Sequence, residues 1–294
     1  MSKVLLVATV QSHIAQFHKP LINLLKEKGV TVHVAARDNL AEKNGLKIEN
    51  ADEIFDIPFS RSPLDKKNLT AYKMLKNLIN CGEYDVIHCN TPIASVLTRK
   101  AAKKARKRGT KVVYTAHGFH FYKGASVKSK LLWYNVEKHY AKKTDVLITI
   151  NREDYETAKS KFKTNVKYIH GVGVNEKRFT LVTETEKEEI RQKYGLTGKR
   201  VLLCTGELND NKNQKTVISA FAKLCEKHSD LVLLLAGNGK NKEALESLIK
   251  ELGLEEKAIL TGYEPKIEKL VSSADLVLSA SIREGLGLNV IEGM

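Results

Sequence analysis

The chain has 294 residues, 42% of them hydrophobic and 28% charged, with a formal net charge of +15. That length suits two domains, each able to bury a core of its own. Five prolines and the lack of any low-complexity tract exclude extended disorder, and no apolar run reaches the ~18 residues that a membrane-spanning helix needs.

The opening MSKVLLVATV reads as a first strand (4–9), not a signal peptide, because its short apolar run leads straight into His and Lys. A loop (9–20) and a helix to about Lys28 follow. Next come strands VTVHVAA (30–36) and the weaker EIFDIPF (53–59), a helix over 66–80, and strand DVIHCN (85–90). The pattern continues with a helix over 92–108, strand KVVYTAH (111–117), a helix over 127–143 and strand DVLITI (145–150). A helix capped by Asn151 and strand VKYIHGVGV (166–174) close the first half. Strands separated by helices of this length imply a parallel sheet with right-handed crossovers.

The charge changes near Phe179. Residues 1–178 hold 33 Lys+Arg against 16 Asp+Glu, a net of +17, and residues 179–294 hold 16 against 18, a net of −2. The pattern then restarts. A helix ends at Gly195, and strands follow at 199–206, 231–239, 257–262 and 275–281, with helices between them. The expected fold is therefore α/β, with Rossmann-like doubly wound domains at 1–178 and 179–294 packing across a cleft. The second domain is expected to be incomplete, with four strands and a last helix only starting near Gly287.

The densest basic piece, RKAAKKARKRG (99–109), calls for an anionic partner such as nucleic acid or an anionic membrane face, or is an ordinary solvated helix face. Cys81, Cys89, Cys204 and Cys225 form no CxxC pair and read as reduced structural thiols of a cytoplasmic protein.

Four stretches can carry chemistry. TVQSHIAQFHKP (9–20) follows the first strand, where α/β folds place ligand loops, and offers Gln11, Ser12, His13 and His18 for a polyhydroxyl compound. It has no GxGxxG, which disfavours a dinucleotide. TAHGFHFYKG (115–124) puts His117 at a strand end, with Gly118 after it allowing close approach. His88, Cys89 and His117 do not have the spacing of a zinc site, and no metal is expected.

TGELNDNKNQ (205–214) places Gly206 at a strand end and Lys212 and Asn213 at a helix start, where a lysine beside free amides suits a diphosphate. AGNGKNKEAL (236–245) repeats the arrangement with Gly237. The last stretch, SIREGLGLNVIEGM (281–294), sets Glu284 in a loop and Glu292 in a helix. Between them, the amides of Gly285, Leu286, Gly287 and Leu288 are expected to face outward toward an anion. A carboxylate readily accepts hydrogen bonds from two neighbouring sugar hydroxyls.

Taken together, these stretches resemble the retaining glycosyltransferases of family 4, of GT-B architecture, and among them bacterial enzymes of capsule or exopolysaccharide synthesis. Glu284 and Glu292 match the family's E-x7-E signature, supported by the TAHGF run and the TGEL…KN loop. The resemblance implies a nucleotide-sugar donor, UDP-linked by base rate, on the second domain, with no cofactor and no metal.

It assigns donor-sugar hydroxyls to Glu284, the ribose to Glu292 and the diphosphate to Lys212. It places His117 near the reacting centre and the acceptor, a glycan or a polyprenyl-diphosphate-linked sugar, on the first domain. Many members pair an arginine with that lysine, whereas this chain has Glu207 after Gly206. The basic first half would suit a peripheral position on the inner face of the cell membrane. Members of the family continue past the last helix seen here. The alternatives are a sugar-nucleotide epimerase of the same architecture, a basic nucleic-acid-binding protein, for which no reading motif is present, and a non-catalytic scaffold.

Overall fold

The computed structural model describes residues 2–41 and 46–294. The chain forms two compact units, Met1–Val172 and Gly173–Met294. The division falls at Val172/Gly173, a few residues before the change of charge at Phe179 that set the expected boundary.

In unit 1 the elements run β1 (Lys3–Val10), α1 (Gln11–Phe17), α2 (Lys19–Glu27), β2 (Thr31–Arg37), β3 (Glu53–Asp56), α3 (Lys67–Cys81), β4 (Val86–Asn90), α4 (Pro92–Ala101) and α5 (Lys103–Lys107). They continue with β5 (Lys111–Ala116), α6 (Val127–Ala141), β6 (Val146–Thr149), α7 (Arg152–Lys161) and β7 (Asn165–Tyr168). All seven strands are parallel, in the order β3-β2-β1-β4-β5-β6-β7. β1 is buried along nearly its whole length, as a central strand covered on both faces must be. Its alternate residues serve two layers. Leu5 and Val7 join Leu75, Ile79 and Tyr114 on one side, while Val4, Leu6 and Ala8 join Ile14 and Ile22 on the other.

Unit 2 contains α8 (Glu184–Lys193), β8 (Arg200–Thr205), α9 (Gln214–Cys225), β9 (Leu231–Ala236), α10 (Lys242–Glu251), β10 (Ala258–Gly262), α11 (Ile267–Ser273), β11 (Leu276–Leu278) and α12 (Leu288–Ile291). Its parallel sheet has the order β10-β9-β8-β11. Leu202 and Cys204 pack toward α9 and α10, and Val201 and Leu203 toward α11.

Several expectations need correction. The expected loop 9–20 is mostly helix: β1 runs on to Val10, and α1 starts at Gln11. The helix expected over 92–108 divides at Ala102. The strands expected at 166–174 and 275–281 are shorter, at Asn165–Tyr168 and Leu276–Leu278. Both are edge strands whose pairing lasts only as long as their single neighbour provides it.

RKAAKKARKRG is not one solvated face. Arg99 is fully buried, donating to Glu137 Oε2 at 2.9 Å and to Ser95, with Tyr114 beneath its guanidinium at 4.2 Å. Arg106 forms a two-pronged pair with Asp145. Lys100, Lys103, Lys104 and Lys107 remain exposed.

Candidate active site

In a doubly wound sheet, ligands bind beyond the carboxyl ends of the strands where the order reverses. In unit 1 that point lies between β1 and β4. The segments leaving β1, β4 and β5 bring His13, His18, Asn90 and His117 together there. The His13 and His117 rings stand edge to face with centroids 4.7 Å apart, and His13 and His18 are 5.4 Å apart. His88, one strand layer below, lies 5.9 Å from His18 and bonds through Nε2 to Thr115 Oγ1 at 2.8 Å.

His117 Nε2 meets Asn90 Oδ1 at 3.1 Å. An amide oxygen can only accept, so this contact puts the proton on Nε2 and leaves Nδ1 with a lone pair. Burial, followed by the neighbouring His18, pushes the His117 pKa down to about 4. Burial, followed by His18 and His117, takes His88 to about 3. His13 and His18 are also lowered, in both cases chiefly by burial. The cluster is therefore neutral at ordinary pH and able to donate or accept single hydrogen bonds.

Three buried polar atoms in this group, His13 Nε2, His18 Nδ1 and Asn90 Nδ2, have no hydrogen-bond partner in the protein. Buried polar atoms are rarely left unpaired, so each orphan marks a place for a ligand or water. Asn90 is fully buried and followed by Thr91 at φ 63°, whose hydroxyl contacts Thr9 Oγ1 at 2.7 Å.

Not every expected residue of this loop belongs to the cluster. Ser12 is occupied structurally: its N–H donates to Asn39 Oδ1, and Asn39 Nδ2 donates to its hydroxyl, each at 3.0 Å. Gln11 is buried at the start of α1.

Cys89 cannot act with His88 and His117. It alternates to the opposite sheet face, within the core, where burial pushes its thiol up to about 12. Among the described residues the one histidine set near enough to hold an ion is His13, His18 and His117, whose ligand atoms lie within 4.8 Å of one another.

The order of unit 2 reverses between β8 and β11. Here Lys212 Nζ donates to Glu284 Oε1 at 2.6 Å. The backbone fastens their two loops: the Ile282 N–H donates to the Asn211 carbonyl at 2.8 Å, and Asn211 Nδ2 to the Arg283 carbonyl at 2.9 Å. Asn213, in a left-handed conformation, stands at the N-cap position of α9 and donates from Nδ2 to the Ala280 carbonyl.

The two strand-end glycines have different reasons. A Cβ on Gly206 would meet the Lys212 stem at 3.2 Å, so Gly206 lets that side chain lie flat. A Cβ on Gly237 would fall 2.0 Å from the Gly206 carbonyl oxygen, so no side chain fits.

The turn between the glutamates differs from expectation. Gly287 (φ −73°, ψ 67°) forms an inverse γ-turn in which the Leu288 amide donates to the Leu286 carbonyl at 2.8 Å. That amide is not free for an anion. Glu292 caps the end of α12, and burial raises its pKa against the opposing pull of Arg178 and Lys212. The residue after it, Gly293, packs so close to Val277 that a Cβ would lie 2.5 Å from Cγ2.

The sequence reading missed Asn90, Gln214 and Asn289. Gln214 Oε1 and Asn289 Oδ1 are buried without partners, beside the end of β8. Gln214 and Asn289 lie within stretches already singled out, but an isolated amide carries no spacing signal of its own.

Comparison with known proteins gives the family. Residues 3–151 match the family described as glycosyl transferase 4-like, and residues 186–294 match glycosyl transferases group 1. EpsD of Bacillus subtilis (strain 168), named as a glycosyltransferase, is 45% identical over 99% of this chain and 76% of its own length. The chain belongs to this glycosyltransferase family.

Another relative of the glycosyltransferase is the UDP-Gal:alpha-D-GlcNAc-diphosphoundecaprenol alpha-1,3-galactosyltransferase of Escherichia coli, 26% identical over 77% of this chain and 58% of its own length. The fold of this chain is shared with Anabaena HepE, solved with UDP and glucose, at a TM-score of 0.74 and 20% identity, covering 100% of this chain and 78% of that one. Two parallel-sheet α/β units and these neighbours give the GT-B fold class.

Proposed function

We propose that this glycosyltransferase moves a sugar, with retention at the anomeric carbon, from a UDP-sugar to a glycan or polyprenyl-diphosphate-linked acceptor during exopolysaccharide or capsule synthesis. It would work in the cytoplasm, peripheral to the inner face of the membrane. The similarity to EpsD supports the polysaccharide setting. The galactosyltransferase relative, whose name carries a diphosphoundecaprenol acceptor, supports the lipid-linked one.

The observation that carries the reading is the Lys212–Glu284 pair at the switch point of unit 2. A nucleotide-sugar presents an anionic diphosphate next to neutral hydroxyls. The ammonium and carboxylate offer one complementary group to each. The glycosidic C–O bond to the phosphate breaks, and the electron pair leaves on the diphosphate. An acceptor hydroxyl adds to the same face of the carbon, and its proton passes to the departing phosphate oxygen. Lys212 stabilises the growing negative charge. Glu284 holds sugar hydroxyls, Glu292 takes the ribose pair, and Gly206, Asn213, Gly237 and the turn Gly285–Leu288 shape the donor pocket. His117 hydrogen-bonds the reacting sugar, and His13 and His18, with their orphaned nitrogens, take acceptor hydroxyls.

The test is a panel of radiolabelled UDP-sugars with a polyprenyl-diphosphate-linked saccharide acceptor, followed by NMR of the product's anomeric proton. Transfer with retained configuration is expected. Inverted configuration would remove the proposed mechanism, and release of a rearranged UDP-sugar without transfer would favour epimerisation.

A further inference from the structure

His13, His18 and His117 meet at the strand ends of unit 1 from two separate segments. His13 lies in α1, His18 stands at the end of that helix, and His117 follows β5 directly. One nitrogen from each ring lies within 4.8 Å of the others. Side-chain torsions bring such a set onto a single ion at the usual zinc–nitrogen distance of about 2.0–2.1 Å. No spacing in the sequence announces the group, because its third ring arrives from a distant strand.

The nitrogens are available. His13 Nε2 and His18 Nδ1 are buried with no partner in the protein. His117 keeps a lone pair on Nδ1, because its Nε2–H is spent on Asn90 Oδ1 at 3.1 Å. Metal-bound histidines commonly give their other N–H to an oxygen in this way, which fixes the tautomer and the ring plane. Burial keeps all three rings neutral at ordinary pH, so no proton has to leave before a metal binds. A hydroxyl has one proton to donate and satisfies one lone pair, whereas a cation satisfies all three.

The donor set also selects the ion. It holds imidazoles and neither carboxylate nor thiolate, and the nearby Cys89 faces the core on the other side of the sheet. Imidazoles suit zinc, copper and nickel, while magnesium, calcium and manganese prefer oxygen. His18 is buried, but His13 and His117 keep part of their surface, so an ion reaches the set from outside and retains an open coordination position.

We propose that His13, His18 and His117 form a binding site for a zinc-class transition-metal ion. Filling it withdraws these nitrogens from acceptor hydroxyls, so the ion acts as an inhibitor and not as a cofactor. Binding stands on the geometry alone, and the inhibition rests on the acceptor placement proposed above.

The experiment is equilibrium dialysis of the full chain, first stripped with chelator, against zinc chloride in the presence of excess magnesium chloride. Zinc should bind in spite of the magnesium, and X-ray absorption of the loaded chain should show imidazole nitrogens around it. His13→Gln and His117→Gln, at partly exposed positions, should each weaken binding by at least about tenfold, with the fold intact by circular dichroism. His228→Gln, at an exposed position in unit 2, should not. Failure to bind zinc, or full binding by both triad variants, would overturn the site. In a transfer assay, zinc should suppress turnover and chelator should restore it, and turnover unaffected by a filled site would overturn the inhibitory role. The dialysis reads no turnover, so a stripped chain that binds zinc yet transfers no sugar counts against the transferase reading alone.

Discussion

Lys212 and Glu284 neutralise each other across 2.6 Å, on loops that the Asn211 and Ile282 hydrogen bonds tie together. Both side chains are about a quarter exposed, 22% and 28%, so the pair is partly screened by solvent. An incoming diphosphate must compete with the Glu284 carboxylate for the lysine. Glu284→Gln removes that competitor. UDP should then bind a few-fold tighter, in keeping with the roughly 1 kcal/mol of a partly exposed pair, while sugar transfer falls steeply. Lys212→Ala should weaken UDP binding and lower turnover by about a hundredfold or more. Calorimetric titration with UDP beside a transfer assay separates the two. Weaker UDP binding by Glu284→Gln would show that the carboxylate helps the nucleotide rather than restraining its lysine.

Gly237 and Gly118 both adopt positive φ, 148° and 132°, yet their substitution should differ. At Gly118 a Cβ meets nothing within 4 Å, so alanine brings only backbone strain of about 1–3 kcal/mol. At Gly237 the Cβ would collide with the Gly206 carbonyl at 2.0 Å, and two strand-end loops would have to part. Gly237→Ala should cost several kcal/mol, toward the upper end of single-substitution effects of about 4–5 kcal/mol, and displace Lys212. Urea unfolding of the two variants checks the contrast, and equal midpoints would refute it.

The parts legible in the sequence were those with a period. Eleven strands were expected and eleven are present among the described residues, because a strand buried on both faces writes itself as an apolar run. The edge strands β7 and β11 were overdrawn. The apolar letters continue past Tyr168 and Leu278, but the paired register with β6 and β8 ends at those residues. The helix α1 was hidden because QSHIAQF is polar in composition, although Ile14 is fully buried. Glu284 and Lys212 were visible as separate motif residues. Their direct pairing was not, since it joins positions 72 residues apart in the chain. Asn90 was passed over for the same reason: its meaning comes from His117, just past the end of the neighbouring strand β5.

Burial gives the histidine cluster a measurable pH response. An unfolded histidine takes up its proton near pH 6.5, whereas His117 in the fold resists until about 4 and His88 until about 3. Between those values the unfolded chain binds more protons, so their share of stability is full above about pH 6.5 and drains as pH falls toward 4 and then 3. Carboxylates held low by ion pairs add their losses only below about pH 5, which leaves the window from 6.5 to 5 to the histidines. Denaturant midpoints across that window should fall with acidity. Asn90→Asp would place a carboxylate beside His117 and raise its pKa, moving its part of the loss to a narrower range. An NMR titration of the imidazole would show an upward shift, and an unmoved His117 would mean that the Asn90 contact does not govern the ring.

Arg99 and Glu137 test a different part of unit 1, the junction of α4 and α6. Both are almost wholly buried, with side-chain exposures of 1% and 5%, and Tyr114 donates its hydroxyl to Glu137 Oε1 at 3.1 Å. Breaking one side of a buried pair strands the other charge, at a cost of about 3–5 kcal/mol. Glu137→Leu should therefore destabilise unit 1 by about that amount, and Arg99→Met should do likewise by stranding the carboxylate. The double variant should regain most of the loss, because two apolar side chains of similar volume need no solvation and can pack beneath Tyr140. A double-mutant cycle in urea reads the coupling directly. If the two single losses simply added, the pair would be a set of independent contacts rather than a mutual neutralisation, and α6 would owe its seat on unit 1 to packing alone.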